Sequence, residues 1–418
     1  MTHQHPEPPQ LFGPEQVADP YPAYAELRAQ APVCPVKLPD GVETWFVTGY
    51  DQADRALAHP GLSKDPASVR EMLRKAGSPF FTEEYDKFNA HMLNADPPEH
   101  TRLRQPVSRA FTPRRVEKVR PRVERLADEL LAAMAAAGTA ECDLLEAYAR
   151  PLPLPVICEL MGVPGADGDQ VMEWSEALFS PPGTFPITPA EAGARLGEYV
   201  TGLVEGRQAA LAAGTEDPEA AEDLIGQLIR NETLSHQELL STVLLVLLTG
   251  HSSTSDLIGN AVVALLAHPE QLELFKSSPE LTDAAVDELM RYDTSVFRAT
   301  IRIAAEDVDL GSAVVPQGSL VGVVLGAANR DPERFPDPDR LDLTRTDRAN
   351  LALGQGVHYC LGSALARLVA GVALRKLFTR FPDLALVGPA DGQEWMNPGS
   401  GVGRALLRLP VLLEGKSA

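Results

Sequence analysis

The longest regular pattern of apolar positions runs from Ser235 to Ala267 and predicts one long helix. Ser235 and Glu238 have the spacing of a capping box, and Pro269 follows the last apolar position, so the sequence marks both helix ends. At 1.5 Å per residue this helix would be roughly 48 Å long. Its middle, residues 249–254, is polar and contains a glycine, which predicts a local kink or bulge.

Helical patterns dominate the chain from about residue 83 onward, whereas strand patterns are short. The run Thr44–Thr48 combines β-branched and aromatic residues and predicts a strand near the N-terminus. Further short strands are predicted around Val308 and between Gly318 and Ala328. Residues 180–189 are rich in proline and predict a loop, because proline lacks the N–H that regular structure needs. We therefore predict a mainly α-helical fold with small β-sheets.

The length of the chain favours one large domain with subregions. Its 418 residues exceed the usual size of a single compact core. We predict a disordered N-terminus over residues 1–10. From residue 11 to residue 418 we predict a single domain with an N-terminal β-rich subregion and a larger helical subregion. The first residues lack the basic and apolar segments of a signal peptide, and no apolar run is long enough to cross a bilayer. These features predict a cytoplasmic protein with no membrane partner.

The charge of the chain is strongly acidic but unevenly distributed. A formal net charge of −21 argues against a nucleic-acid partner. Residues 102–125 nevertheless carry nine basic side chains against Glu117 and Glu124. Any one of them is typical of a solvated helix face, but the cluster favours binding of an anionic group or an acidic protein. Its basic members are Arg102, Arg104, Arg109, Arg114, Arg115, Lys118, Arg120, Arg122 and Arg125.

Cys360 has the most informative surroundings of the four cysteines. The irregular spacing of Cys34, Cys142, Cys158 and Cys360 gives no disulfide framework. Cys360 lies two residues after His358 and just before a helix-like run. A thiol at a helix start is held as a thiolate, because the helix dipole and backbone amides favour negative charge. Such a sulfur serves either as a nucleophile or as a ligand to a soft metal centre.

Three other interpretations of Cys360 are weaker. An isolated cysteine is by default a small, inert hydrophobic residue. A zinc site would need four ligands, and His358 with Cys360 supplies two. A Cys–His acyl-transfer enzyme would have poor base geometry at this i,i+2 spacing and no evident acid to orient the histidine.

Residues 353–362 resemble the haem-binding loop of the cytochrome P450 family, whose pattern is Phe-Gly-x-Gly-x-His-x-Cys-x-Gly. Five of the six defined positions match, and Leu353 stands where phenylalanine is usual. The resemblance implies that Cys360 is the thiolate ligand of haem b (iron protoporphyrin IX). It also implies that the binding loop includes Gly354, Gly356 and Gly362. In such a fold the haem is sandwiched between the long distal helix and the proximal cysteine loop.

The same resemblance extends over nearly the whole chain and implies further roles. His100, Arg104, Arg302 and His358 would hold the haem propionates. Glu288 and Arg291 match the Glu-x-x-Arg signature of the family, and Arg340 would be the third member of that structural network.

The implied activity is dioxygen-dependent oxidation of a medium-sized organic substrate in bacterial specialised metabolism. The reaction would be hydroxylation or oxidative coupling or cyclisation. Electrons would come from a separate ferredoxin and ferredoxin reductase, because the chain contains no flavin or iron–sulfur region. The cofactor would carry out the oxidation, and the protein would position the substrate and tune the electronic properties of the cofactor.

The chain departs from the family at its oxygen-activating signature, (Ala/Gly)-Gly-x-(Asp/Glu)-Thr. The corresponding residues run from Thr249 to Ser253, so Ser252 replaces the acid and Ser253 replaces threonine. A neutral Ser252 cannot act as a carboxylate. We favour a modified proton relay through Thr249, Ser252, Ser253 and water. The alternatives are a polar group supplied by the substrate, an atypical reaction such as peroxide-driven oxidation, nitration or coupling, a non-catalytic haem sensor, or hydroxyls that only bond back to the helix.

Substrate-contacting residues are expected from their family positions. Their simplest alternative role is core packing, and Arg298 could instead face a propionate. The predicted pocket residues are Leu245, Val246, Thr249, Val296, Phe297, Arg298 and Met396.

Overall fold

A computed structural model describes most of the chain. The described residues are 9–75, 87–180, 183–215, 222–231, 233–396 and 402–414. Residues 1–8 of the predicted disordered N-terminus lie outside this part, as do two residues of the proline-rich loop.

Helices make up most of the described chain, as predicted. In chain order they are α1 (Pro14–Ala18), α2 (Tyr21–Gln30), α3 (Tyr50–Ala58), α4 (Arg70–Lys75), α5 (Glu99–Ser108), α6 (Pro113–Ala136), α7 (Pro153–Met161), α8 (Gly168–Phe179), α9 (Pro189–Ala212), α10 (Leu224–Ile229), α11 (His236–Thr249), α12 (Ser252–Ala267), α13 (Pro269–Ser277), α14 (Thr282–Tyr292), α15 (Leu325–Ala328) and α16 (Ser363–Arg380).

The strands are short and form small sheets. They are β1 (Val33–Lys37), β2 (Glu43–Val47), β3 (Leu62–Ser63), β4 (Glu141–Asp143), β5 (Arg302–Ala304), β6 (Val308–Asp309), β7 (Val314–Val315), β8 (Leu320–Val323), β9 (Ala385–Leu386) and β10 (Pro410–Leu412). A five-stranded sheet has the order β1-β2-β8-β5-β3, a three-stranded sheet has the order β4-β10-β9, and β6 pairs with β7. In the five-stranded sheet β2 and β8 are parallel, with Val47 opposite Val323.

The strand predictions are largely confirmed. The predicted strand at Thr44–Thr48 is β2, and the one near Val308 is β6. The pattern between Gly318 and Ala328 gives strand β8 and then a short helix, α15, so the strand prediction is wrong for its second half. The chain changes from strand to helix after Val324, whose N–H donates to the carbonyl of Val47 in the neighbouring strand at 2.9 Å.

The long helix predicted from Ser235 to Ala267 is divided into α11 and α12. Its predicted N-terminus is correct, because Ser235 and Glu238 form a capping box. The interruption falls at Gly250 and His251, inside the polar stretch where a kink was predicted. A β-carbon at Gly250 would lie 2.7 Å from the side chain of Ile157 in α7, so the packing against α7 requires glycine.

The contacts within the chain define two compact units. The first comprises Met1–Ser63, Arg120–Leu152 and Ser253–Ala418, and the second comprises Lys64–Val119 and Pro153–Ser252. The first unit contains all the sheets, and buried Val33, Val47 and Val321 pack in the core of its five-stranded sheet. In the second unit helix α9 packs against α8 and also against α11. None of the helices in the described residues is long and apolar enough to cross a membrane.

Candidate functional site

The cysteine loop of the first unit is held in a tight conformation by its own backbone. The N–H of Cys360 donates to the carbonyl of Leu353 at 2.9 Å, and the N–H of Tyr359 donates to the carbonyl of Gly356 at 3.1 Å. Helix α16 begins three residues later, with Gly362 as its N-cap. Cys360 is half-buried. The loop therefore fixes a partly accessible thiol close to a helix N-terminus, where negative charge is favoured.

Two glycines give the loop its shape. Gly354 has φ 75° and Gly356 has φ 73°, a left-handed backbone conformation that disfavours any residue with a β-carbon. The two positions differ in their surroundings. A β-carbon at Gly356 would lie 3.2 Å from the Cα of Ala58 and 3.2 Å from the carbonyl of Leu57, whereas one at Gly354 would meet its nearest atom at 3.9 Å.

This difference makes a matched pair of variants informative. Gly354→Ala should lower the free energy of unfolding by about 1–2 kcal/mol, the cost of the left-handed conformation alone. Gly356→Ala should cost more and should also reduce the haem content, because the added carbon pushes the loop away from α3. Urea unfolding and the ratio of haem to protein absorbance measure the two effects. Equal losses for the two variants would show that the close approach to α3 is unimportant.

A buried ion pair links α14 to segments that precede the cysteine loop. Arg291 donates to both carboxylate oxygens of Glu288, from Nε at 2.7 Å and from Nη2 at 2.8 Å. The side chains are 1% and 4% exposed, respectively. The Nη1 of Arg291 also donates to the carbonyls of Asn329 at 3.0 Å and Pro338 at 2.8 Å. The pair predicted from the Glu-x-x-Arg spacing therefore ties α14 to the segment that follows α15.

The third member of this network is Arg345. Its Nε lies 3.3 Å from the carboxylate of Glu288 and is largely buried. Arg340, the residue predicted for this role, has an exposed side chain and contributes its main-chain carbonyl, which accepts from Arg291 at 3.2 Å. The prediction for Arg340 is therefore wrong by five residues, because the turn over 336–340 points its side chain outward.

A second polar connection reaches the cysteine loop directly. The side chain of Asn329 is fully buried and accepts the N–H of Leu351 at 2.7 Å, and the carbonyl of Leu351 accepts the N–H of Gly354 at 2.9 Å. On the other side of the loop, Arg367 of α16 donates to Asp287 at 2.7 Å and to the hydroxyl of Tyr359 at 3.3 Å. Asn329 and Asp287 have roles in support of the loop that sequence reasoning missed, since neither belongs to a recognisable spacing.

Two of the predicted propionate contacts, Arg302 and His358, lie in the first unit. Arg302, in β5, is 3% exposed, and its guanidinium donates to the carbonyls of Thr300 at 3.4 Å and Leu57 at 3.5 Å. His358 is half-buried in the 3₁₀ turn Gly356–His358 of the cysteine loop. A buried guanidinium favours an anionic partner, because a buried charge without one is costly.

These donors fit a haem iron better than a protein-bound metal ion. Among the described residues no group of three or more His, Cys, Asp or Glu side chains could hold a metal. Cys360 offers one soft ligand, its thiolate sulfur. The glycine-shaped loop and the buried cation Arg302 are what a macrocycle with a thiolate ligand and carboxylate side groups requires.

The second unit contains the other predicted haem and relay residues. His100 and Arg104 lie one turn apart on α5, and His100 is 3% exposed. Burial, and then the charge of Arg104, lower the pKa of His100. Arg102, counted in the basic cluster, is paired with Glu99 and Glu238, so its charge is locally neutralised.

The polar residues between α11 and α12 have distinct partners. Thr249 donates its hydroxyl proton to the carbonyl of Leu245 at 2.8 Å, a bond back into its own helix. His251 places Nδ1 3.0 Å from the carbonyl of Leu247, and burial lowers the pKa of its imidazole to about 4. Ser252 and Ser253 open α12 and are half-exposed.

Asp256 is a further acid in this region that the sequence analysis did not single out. It is the only charged residue of α12 and is half-buried, whereas residues 257–265 are buried. It follows Ser252 by four positions and Ser253 by three, so the three side chains share one helix face. The signal in the sequence is the i,i+4 spacing of Asp256 from Ser252.

The predicted pocket residues fall into two groups. Leu245, Val246 and Thr249 lie on α11, where Leu245 is 9% and Val246 4% exposed. Phe297, Arg298 and Met396 of the first unit line one cavity together with N-terminal residues that were not predicted to take part. Val296 packs against the core of the five-stranded sheet, and the Phe297 ring lies 5.2 Å from that of Tyr24.

Comparisons with known proteins agree with this geometry. A family model described as Cytochrome P450 matches residues 277–396. Cytochrome P450 monooxygenase PikC of Streptomyces venezuelae is 42% identical over 409 residues, which cover 96% of this chain and 92% of the relative. The 6-deoxyerythronolide B hydroxylase of Saccharopolyspora erythraea is 41% identical, with 94% of this chain and 96% of the relative covered. The tirandamycin C-bound P450 monooxygenase TamI has a TM-score of 0.83 and 36% identity, with 95% of this chain and 98% of that chain covered.

The fold, the cysteine loop and these relatives define a haem-thiolate oxidoreductase of the monooxygenase type. The chain belongs to the cytochrome P450 family, in its bacterial branch. Its cofactor is a haem iron, and its reaction is the oxidation of a medium-sized organic substrate. Relatives named as hydroxylases and a hydroxylase/epoxidase favour this reaction over the atypical alternatives and over a haem sensor.

Proposed function

We propose that this protein is a haem b monooxygenase that hydroxylates or oxidatively couples a small-molecule product of bacterial specialised metabolism. Dioxygen is the oxidant, and a ferredoxin with its reductase supplies the electrons. The observation that carries the proposal is the half-buried Cys360 in a loop closed by its own N–H and shaped by two left-handed glycines. The relatives named above support the metabolic setting, since their names include a 6-deoxyerythronolide B hydroxylase and a tirandamycin C-bound monooxygenase. The cytoplasmic location stays a prediction.

Within this proposal each group of residues has a defined task. The bound haem supplies the thiolate-assisted oxidation chemistry. Cys360 is its ligand, and Arg302 and His358 hold its carboxylates, as do His100 and Arg104. Gly354, Gly356 and Gly362 shape the loop. Leu245 and Val246 contact the substrate through their apolar side chains.

The proton relay is proposed to use Asp256 in place of the acid missing at position 252. Residues three and four apart on a helix are neighbours, with about 5–6 Å between their β-carbons. Ser252 and Ser253 can therefore exchange protons with the carboxylate directly or through one water. Because Asp256 is half-buried at the start of α12, it can also exchange protons with solvent. The hydroxyl of Thr249 is a donor to Leu245 and so serves the relay as an acceptor.

A turnover assay tests both parts of the proposal. Candidate metabolites that produce a type I spectral shift should be oxidised when NADPH, a surrogate ferredoxin and its reductase are present. Asp256→Asn should reduce product formed per NADPH by about tenfold or more, because positioned acid–base groups contribute at least two orders of magnitude. It should also change the solvent deuterium isotope effect.

The control is Glu333→Gln, an acid-to-amide change at an exposed position. Product formation with peroxide alone but not with the electron-transfer proteins would contradict the monooxygenase proposal. Unchanged coupling and isotope effect in Asp256→Asn would remove Asp256 from the relay while leaving the monooxygenase proposal intact.

A further inference from the structure

Two short segments of the first unit carry four of the predicted pocket residues, and a third segment lies between them. Residues 402–407 pair in the antiparallel direction with residues 295–298 on one side and with residues 394–396 on the other. The position of this middle segment therefore sets the distance between the two outer segments. The predicted pocket residues on the outer segments are Val296, Phe297, Arg298 and Met396.

Arg404 is at the centre of this arrangement through its backbone. Its N–H donates to the carbonyl of Ser295 at 2.7 Å, and its carbonyl accepts the side-chain amide of Asn260 in α12 at 3.1 Å. Asn260 is 1% exposed, so this bond is shielded from water. The residue that follows, Ala405, accepts the N–H of Met396 at 2.8 Å. Arg404 and its neighbour thus bind both outer segments and hold them against a buried position of α12.

The side chain of Arg404 has four further partners. Its Nε donates to the carboxylate of Asp293 at 2.6 Å, and its terminal nitrogens donate to the carbonyls of Val17 and Ala18, each at 3.1 Å. The guanidinium carbon lies 3.7 Å from the ring centre of Trp395 in the second outer segment. The side chains of Asp293 and Arg404 are 11% and 9% exposed. A guanidinium with this many donors in use cannot shift without breaking several bonds, so it holds the middle segment in place.

Asp293 extends this arrangement to the start of the first outer segment. It is the C-cap of α14 and precedes Ser295 by two residues. Its carboxylate accepts the hydroxyl proton of Tyr21 at 2.8 Å in addition to the bond from Arg404. Hydrogen bonds to a charged group are about twice as strong as neutral ones. Because the pair is buried, removal of the charge on Asp293 would leave a buried guanidinium without its anion, and the register of the segments would loosen.

We propose that Asp293 and Arg404 are positioning residues that determine which substrates the pocket accepts. They fix the register of residues 402–407 against the two outer segments and so place the side chains of Val296 and Met396. A shift of about 1 Å at a substrate contact can change a rate by about 100-fold, so a small change of register has a large effect. The inference rests on the proposed function, because it takes Val296 and Met396 to contact the substrate.

Optical titration of the haem-loaded protein with two azoles tests this inference without turnover. Imidazole and 4-phenylimidazole both ligate haem iron through a ring nitrogen, but only the second places a phenyl ring in the pocket. Asp293→Asn keeps the size of the side chain and removes its charge. The variant should bind imidazole as the unmodified protein does, because the cysteine loop is unchanged. Its preference for 4-phenylimidazole over imidazole should fall at least about fourfold, the equivalent of one methylene group that loses its apolar contact.

The matched control is Asp223→Asn in the second unit. Asp223 pairs with Arg207 at 3.1 Å, and their side chains are 13% and 14% exposed, close to the burial of the Asp293 pair. This control should lose a similar amount of stability in urea unfolding and keep the azole preference. A fall of the same size in Asp223→Asn would count against the proposal, because the effect would then follow stability rather than register.

Tyr21→Phe is a second variant that keeps the test valid if Asp293→Asn does not fold, which thermal melting followed by circular dichroism would show. It removes one of the two bonds to Asp293 and should lower the azole preference in the same direction by at least about twofold. An unchanged preference in folded Asp293→Asn, or in Tyr21→Phe where Asp293→Asn does not fold, would overturn the proposal. An equal fall in affinity for both azoles would do the same. Absence of a spectral response to imidazole in the unmodified protein would instead contradict the proposed haem function.

Discussion

Replacing Cys360 by alanine or histidine should abolish the thiolate–haem absorption of the reduced, CO-bound protein. The reason is that Cys360 is the one soft ligand that the cysteine loop offers, and neither replacement supplies a thiolate. Substrate oxidation should fall by more than the roughly 100-fold that removal of a residue supporting a metal ligand costs. Difference spectroscopy of the reduced protein with and without CO measures the first effect, and NADPH-driven turnover measures the second.

Cys142→Ser is the matched control for this change. Cys142 is also half-buried, but it lies in strand β4 and outside the cysteine loop. The Cys142→Ser variant should therefore retain both the thiolate–haem spectrum and the NADPH-driven oxidation of substrate. An intact thiolate–haem spectrum in Cys360→Ala would mean that another residue ligates the iron, and the assignment of the whole loop would fail.

Glu288→Gln should lower the free energy of unfolding by about 3–5 kcal/mol, the cost of removing one partner from a buried ion pair. The carboxylate of Glu288 faces Arg291 and Arg345, so its loss leaves two buried cations without their shared anion. It also accepts the N–H of Asp342 at 3.0 Å. Urea unfolding measures the loss, and the haem content of the purified variant reports whether the loop behind the network is still formed.

An exposed pair gives the comparison for this prediction. Arg408 and Glu394 lie 2.7 Å apart, and their side chains are 59% and 55% exposed. Glu394→Gln should change the free energy of unfolding by no more than about 1 kcal/mol, because solvent screens such pairs. If Glu288→Gln lowered the free energy of unfolding no more than Glu394→Gln does, the Glu288 network would not stabilise the fold. Its role in holding the cysteine loop would then have to be abandoned.

Much of the fold follows from periodicity and capping. The capping box at Ser235 was correct to the residue, and the polar stretch in the middle of the long pattern did mark a break. The pattern could not show that the break divides the helix completely, nor that Gly250 lies against the side chain of Ile157, which is distant in sequence. The short helix α15 was missed for a similar reason, since apolar runs of a few residues do not distinguish strand from helix.

The site was predicted best where a motif is local. The cysteine loop and the Glu288–Arg291 pair depend on short spacings, and the structure brings their members together. The third member of the Glu288 network depends on how a turn directs its side chains, and the sequence offered Arg340 where the structure uses Arg345. The part that Leu11 and Phe12 take in the cavity lined by Phe297 could not be predicted, because they precede Phe297 by almost 300 positions in the chain.

The side chain of Arg404 joins the first and last parts of the described chain. One guanidinium binds the carbonyls of Val17 and Ala18, which lie 387 and 386 positions away, and the same side chain is paired with Asp293. The folding of the N-terminal segment is therefore completed only after the C-terminal segment has been synthesised. During translation the N-terminal segment must wait until 387 further residues have been synthesised before Val17 can bind Arg404.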